Sequence, residues 1–156
     1  MNSKIKVAVV ITDKKGRILL IKEKLEKKPS ALWNVVKGTY DGGETIFEAA
    51  KRECMEEASL KVELTHSLGV YVSEKSGELR VQFNFLAKTD NIKATIASQN
   101  EQKMRNEDIE EVRWFTKEEI EKMDAEQFVS TRTLKLLQGF LLGEFFPLNS
   151  YKQVDM

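Results

Sequence analysis

The chain begins with a run of five apolar residues, Val7-Ala8-Val9-Val10-Ile11. Four of them are β-branched, and no polar residue interrupts them. That pattern predicts a strand covered on both faces. Asp13-Lys14-Lys15-Gly16 is a turn signal, and Arg17 to Lys22, built on Ile18-Leu19-Leu20-Ile21, reads as the partner strand. Glu23 to Ser30 is charged, ends in Pro29-Ser30 and reads as a loop. Leu32 to Val36 reads as a short strand around Trp33. Lys37 to Gly43, with three glycines around Asp41, has the composition of a loop. Thr45 to Ala58 has helical spacing. Leu60 to Tyr71 and Leu79 to Lys88 read as long strands joined by a turn at Lys75-Ser76-Gly77-Glu78, and the second alternates Val81, Phe83 and Phe85 against Gln82 and Asn84.

The second half is less regular. Asp90 to Asp108 is polar and predicts a long loop, a length that often carries function. Glu111 to Phe115 reads as a last strand, and Thr116-Lys117-Glu118-Glu119 as a capping-box start to a short helix. Ala125 to about Leu142 reads as an apolar helix, with Leu134, Leu137 and Leu141 at helical spacing. The tail beyond Pro147 has no pattern and is expected to be loose. The expected organisation is therefore one domain over residues 1–147 and a flexible tail over 148–156. Alternating strand and helix signals permit an α/β fold and do not require it.

Composition narrows the function classes. With 156 residues, 41% apolar and 32% charged, the chain suits an ordinary globular domain with one core. A formal net charge of zero supplies no basic excess for duplex nucleic acid. No apolar stretch approaches the roughly 18 residues of a membrane helix. The run Val7 to Ile11 is too short for a signal-peptide core. The single cysteine, Cys54, excludes an intramolecular disulfide and fits a reducing compartment, so a cytoplasmic location is expected. Charge is nonetheless uneven. Residues 1–30 hold nine Lys or Arg against three Asp or Glu, an excess of six, which the remainder offsets. This is either a basic wall that attracts phosphates or a solvated hairpin and loop.

The helix from Thr45 to Ala58 carries the candidate chemistry. At about 100° per residue, Phe47, Ala50, Cys54 and Ala58 form the core-facing stripe. Glu53, Glu56 and Glu57 stand at i, i+3 and i+4 on its flank, and like charges at that spacing cost roughly 0.2–0.5 kcal/mol per pair. Two lie in the last turn, where the helix dipole disfavours anions. Carboxylates crowded against local preference mark either a solvated acidic face or a functional site. If functional, the oxygens suit a hard divalent ion, Mg²⁺ or Mn²⁺.

Gly38, five residues, Glu44, seven residues and then Arg52-Glu53-Cys54-Met55-Glu56-Glu57-Ala58-Ser59-Leu60 resembles the Nudix box, a motif spanning 23 residues here. One signature position departs, with Ser59 standing where the family has a glycine that supplies a left-handed turn. The resemblance implies an α/β/α sandwich with a mixed sheet and a loop–helix–loop motif. It implies a metal-dependent pyrophosphohydrolase acting on a nucleotide-like diphosphate: a nucleoside triphosphate, dinucleoside polyphosphate, nucleotide sugar or similar. By the same resemblance Glu53, Glu56 and Glu57, with the backbone at Gly38, are the metal-binding positions. Glu44 is a supporting acid and Arg52 orients the carboxylates. The general base is left among Glu53, Glu57 and a late-loop acid, with Glu107 ahead of Glu110.

Several residues carry weaker signals. Lys37 is a phosphate contact or a solvated lysine. Trp33 stacks on a base or packs in the core, and Trp114 belongs to the core. His66, the only histidine, has no visible partner and reads as structural. Cys54 lies on the apolar stripe and behaves as a small hydrophobe. Phe140, Leu141, Phe145 and Phe146 offer a patch for a homodimer. Two rivals to the hydrolase stay open. One is a catalytically inactive Nudix-like nucleotide-binding or regulatory domain. The other is an isomerase on the same fold, against which the core-facing Cys54 counts.

Overall fold

The apolar run at the start of the chain is the middle of strand β1 (Asn2–Thr12). In the computed structural model, which describes residues 2–156, Val7 to Ile11 are almost completely buried. Their side chains alternate between two separate cores. Val7, Val9 and Ile11 enter one, and Ala8 and Val10 enter the other. A strand with no polar face needs cover on both sides, and helices provide it.

Strands β2 (Ile18–Glu23), β3 (Leu32–Asn34) and β4 (Val36–Tyr40) precede helix α1 (Ile46–Ala58). Strands β5 (Glu63–Lys75) and β6 (Glu78–Lys88) form a long hairpin, followed by helix α2 (Gln99–Met104) and strand β7 (Ile109–Phe115). Helices α3 (Lys117–Glu121) and α4 (Thr131–Leu141) and the two-residue strand β8 (Phe146–Pro147) complete the order. β6 runs parallel to β1 along its whole length, from Asn2↔Glu78 to Thr12↔Lys88. β4 lies antiparallel on the other edge of β1, and β5 pairs antiparallel with β6 and β8. β2 sits between β3 and β7 and joins β1 at Thr12↔Ile18. The sheet is mixed. Helix α1 packs on one face with Ala49, Ala50, Cys54 and Ala58, and α4 on the other with Leu136, Leu137 and Phe140. This is the α/β/α sandwich expected. Among the described residues, no helix is long and apolar enough to cross a membrane.

Three segments differ from the sequence expectation. Lys37 to Tyr40 is the body of β4 and not a loop: Val7↔Gly38 and Ile5↔Tyr40 are in register with β1. The glycine-rich composition hid it because pairing with β1 is a tertiary contact. The long loop contains α2, capped by Ser98, whose side chain accepts from the Glu101 backbone. The helix expected from Ala125 begins at Thr131, with Ser130 as its cap. Ahead of it Val129 donates its backbone N–H to the Trp33 carbonyl, and Phe128 bridges Trp33, so residues 128–130 are extended.

The tail is also corrected. Tyr151 is buried against Phe83 and Phe85, and its hydroxyl donates to the Gly69 carbonyl at 2.6 Å and lies 2.9 Å from the Asn84 carbonyl. Gln153 accepts from the Ile46 backbone N–H at 2.7 Å, one of the orphan donors in the first turn of α1. Of the proposed dimer patch, Phe140 is buried under Phe145, while Phe146 is half exposed. His66 packs against Phe145 within the fold, 5.5 Å between ring centroids.

Ser59 occupies the left-handed region at φ 56° and ψ 35° and closes α1, with Ser59 N–H bonded to the Met55 carbonyl and Leu60 N–H to Cys54. Its hydroxyl donates to the Thr95 carbonyl at 3.0 Å, and this contact offsets part of the strain that glycine would avoid. In thermal denaturation, Ser59→Gly should stay near the wild-type Tm, while Ser59→Ala, which keeps the strain and loses the bond, should lose about 1 kcal/mol. Tyr151→Ala should cost about 3 kcal/mol by emptying a core position. A loose tail would make that substitution neutral.

Candidate active site

Helix α1 starts at Thr45, whose hydroxyl accepts the Glu48 N–H at 3.1 Å, and ends at Ser59. With both ends fixed, Glu53 and Glu57 lie at i and i+4 on its buried side, beside Ala50 and Cys54. They face β4. A Cβ on Gly38 would overlap the Glu53 carboxylate, so the glycine is required by close approach and not by backbone dihedrals. The Lys37 backbone N–H donates to Glu57 Oε1 at 3.0 Å. β4 therefore supplies both the space and one donor for these two acids.

The late loop brings a third acid. The Gln102 side chain is buried; its Oε1 accepts from the Ile109 N–H at 2.7 Å, and its carbonyl accepts from the Glu107 N–H at 2.8 Å. These bonds close the turn between α2 and β7 that carries Glu107. Arg105 completes the junction by donating to the Glu56 carbonyl at 3.1 Å and to the Glu107 carboxylate at 2.9 Å. As a result Glu53, Glu57 and Glu107 can each offer an oxygen, all within 4.8 Å of one another. The chemistry of this all-carboxylate donor set fits a hard divalent cation. Glu56 lies outward on the same cavity, held between Arg52 at 3.3 Å and Arg105 at 3.8 Å.

Arg52 positions the cluster. It holds Glu44 through two nitrogens, at 2.7 and 2.9 Å, and donates to Glu53 Oε1 at 2.8 Å. Burial pushes the Glu53 carboxyl up to about 7, against the pull of Arg52, and Glu56 adds to the rise. Burial, and then the Glu53 charge, raises Glu57 well above the usual carboxylate range. Burial also lowers Lys37 to about 7, with Arg132, Arg80 and Lys6 adding repulsion. The Cys54 thiol is fully buried and pushed up, as befits a packing residue.

These groups line one cavity of about 700 Å³. Among the residues expected from sequence, Lys37, Gly38, Glu44, Arg52, Glu53, Glu56, Glu57 and Glu107 all reach it. Trp33 does not. Its ring is buried on the α4 face, edge-on to Phe115 at 4.9 Å, with Arg113 over it at 5.1 Å. The proposed base contact by Trp33 is therefore corrected to packing, because strand alternation turns it away from α1. Trp114 also packs, and its indole donates to the Ile92 carbonyl at 2.9 Å. Of the basic N-terminal stretch, only Lys6 and Lys24 line the cavity. Lys14, Lys15, Lys27 and Lys28 sit in turns or loops, all four exposed, and Arg17 pairs with Asp13 at 2.6 Å.

Glu23, Arg80, Arg105 and Arg132 also line the cavity and were not expected from sequence. Each comes from a different element or loop, and none has a local spacing signal. Glu23 is held by Asn34 Nδ2 at 2.9 Å, and burial raises its carboxyl.

Residues 2–135 match the family model described as the NUDIX domain. The chain is 30% identical over 106 residues to an oxidized purine nucleoside triphosphate hydrolase of Danio rerio, covering 68% of this chain and 67% of that one. It is 28% identical over 136 residues to Phosphatase NudJ of Escherichia coli K12, covering 85% and 80%. Among solved structures, a NUDIX hydrolase from Nitrosomonas europaea superposes with a TM-score of 0.77 at 19% identity, over 98% of both chains. A C. elegans Ap4A hydrolase superposes with a TM-score of 0.64 at 21% identity, over 90% of this chain and 97% of that one. The box residues meet in one cavity at the end of α1, the fold agrees with these structures, and the family model spans most of the sequence: the chain belongs to the Nudix hydrolase family.

Proposed function

We propose that this enzyme hydrolyses a pyrophosphate linkage in a nucleotide-like substrate, using a divalent cation, Mg²⁺ or Mn²⁺, held by Glu53, Glu57 and Glu107. The observation that carries this reading is the convergence of three carboxylates from two distant segments beneath a glycine that leaves room for them. Buried anions crowded together cost stability unless a cation joins them. When bound, such an ion neutralises phosphate charge and lowers the pKa of water. Glu56 completes the acidic rim, and the Gly38 carbonyl is proposed as a further ligand. Arg52 keeps Glu53 and Glu56 oriented. Lys37 contacts a phosphate oxygen. Whichever of Glu107, Glu53 and Glu57 is left off the metal in the substrate complex takes the proton from the attacking water, and Glu107 is the preferred one.

The relatives' names span an oxidized purine nucleoside triphosphate hydrolase, a phosphatase and an Ap4A hydrolase, so the substrate is to be found by a panel. Release of phosphate or nucleoside monophosphate from nucleoside triphosphates, ADP-ribose, dinucleoside polyphosphates, nucleotide sugars and coenzyme A should require Mg²⁺ or Mn²⁺ and stop with EDTA. Losing a residue that only orients a metal ligand costs about 10–100-fold, so Arg52→Ala should fall in that range and Glu57→Gln beyond it. Intact protein with no turnover on any substrate would indicate a binding domain instead.

A second prediction uses stability. Glu53 rises from an ordinary 4.5 to about 7 in the fold, so the folded state holds a proton that the unfolded chain releases earlier. Its contribution is fully present below pH 4.5 and is lost as pH rises to about 7. The metal-free Tm should therefore fall across that window, by the equivalent of roughly 3 kcal/mol. Mg²⁺ should raise Tm more above the window than below it, because only the ionised carboxylates bind it. An equal Mg²⁺ effect at both ends would count against the site.

A further inference from the structure

Apart from Lys24, whose ammonium donates to the Leu25 and Lys28 carbonyls, the cations around the cavity fall into two groups. On the α1 side they are matched by acids. Arg52 is shared by Glu44, Glu53 and Glu56, and Arg105 by Glu56 and Glu107. The opposite group is Lys6 from β1, Lys37 from β4, Arg80 from β6 and Arg132 from the first turn of α4. Among the described residues, no ion pair includes Lys6, Lys37 or Arg132. The Lys6 ammonium donates to the Thr39 hydroxyl at 2.7 Å, a neutral partner. Arg132 Nε is buried with no hydrogen-bond partner. Arg80 retains one acid, Glu78 at 3.0 Å, which Lys4 also approaches at 3.7 Å. Glu23, whose charge reaches Lys37, is engaged by Asn34.

Four basic groups from four elements, only one of them paired with an acid, are unfavourable for folding, and an arginine cannot relieve this by losing its proton. A bound anion would satisfy them. A second feature says what kind. Among the described residues, none that line the cavity is aromatic, and Leu25 and Val129 are the only large apolar ones. The walls offer charge and hydrogen bonds, and no ring on which a base could stack. A volume of about 700 Å³ also leaves room beyond one pyrophosphate.

We infer that Lys6, Lys37, Arg80 and Arg132 form a second anion subsite facing the carboxylate cluster, and that the substrate carries more than two phosphoryl groups, recognised through their oxygens and not through base stacking. This rests on the proposed hydrolase reading only for which linkage is cut; binding of the anion does not require turnover. Within it, Arg132 and Arg80 set specificity, and the far end of the phosphate chain lies against them.

The test is calorimetric titration of inorganic tripolyphosphate into the protein with Mg²⁺ present, using wild type, Arg132→Gln, Arg80→Gln and the double variant. Each charge-assisted contact removed should weaken Kd by about tenfold or more. Adenosine, which has a base and no phosphate, should bind more weakly than tripolyphosphate. The unliganded Tm of Arg132→Gln should equal or exceed that of wild type, since the substitution removes repulsion and no partner; a purely structural arginine would lower it. Wild-type tripolyphosphate affinity in the double variant would overturn the inference, as would tighter binding of adenosine. Intact tripolyphosphate binding without turnover on any substrate would defeat the hydrolase reading alone. Metal-dependent turnover with an unaltered Kd in the double variant would defeat the subsite alone.

Discussion

The close approach of the Glu53 carboxylate to the backbone of Gly38 is the contact on which the site depends. A side chain at position 38 would have to displace that carboxylate. The approach also places a carboxylate where water is scarce, and burial raises its pKa. The fold carries this cost because α1 is fixed from several directions. Thr45 and Ser59 terminate it, Gln153 satisfies an N–H in its first turn, and Ala50, Cys54 and Ala58 anchor its apolar side to the sheet. Local conflict at a site is tolerated when the surrounding structure fixes the geometry.

Charge is divided across the cavity in a way that follows from the topology. α1 and the end of the late loop carry the acids, and Arg52 and Arg105 cross-link them into a rigid array. The sheet and the start of α4 carry the opposing cations. β1 places Lys6 on the α4 side of the sheet, the side of Ala8 and Val10, in register with Thr39, and the parallel strand β6 places Arg80 beside it through Lys4↔Arg80 and Lys6↔Gln82. A phosphate chain lying between the two sides would meet metal at one end and guanidinium groups at the other, an arrangement suited to a ligand with charge along its length.

Much of the fold was legible from the residues. The unbroken apolar run of β1 required two covering layers, and the paired turn signals fixed the β1–β2 and β5–β6 connections. The box from Gly38 to Leu60 named the acids, and the structure gathers most of them in one cavity. Trp33 was ambiguous because a strand residue two positions from a loop can face either way; pairing of β3 with β2 decided it. The tail was unreadable because Tyr151 and Gln153 have no periodicity, and their partners lie 67 to 107 residues away. The strand character of residues 37–40 was hidden for the same reason, since its evidence is the register with β1.

The sequence by itself determined most of the elements, the acidic motif and the family, because these are set by short-range spacing and by the rules of helix and strand periodicity. It also determined that Ser59 would adopt a left-handed turn, since the helix ends there whatever residue fills it. The tertiary structure alone decided which acids meet. Glu107 joins Glu53 and Glu57, while Glu56 turns to the two arginines, because Arg105 ties the end of α2 to α1 and the buried Gln102 shapes the turn that carries Glu107. It alone assembled the opposing cations, which come from four elements spread between residues 6 and 132. Groups so far apart in the chain have no common spacing, and only the packing of helices on both faces of one sheet brings their charges into a single cavity.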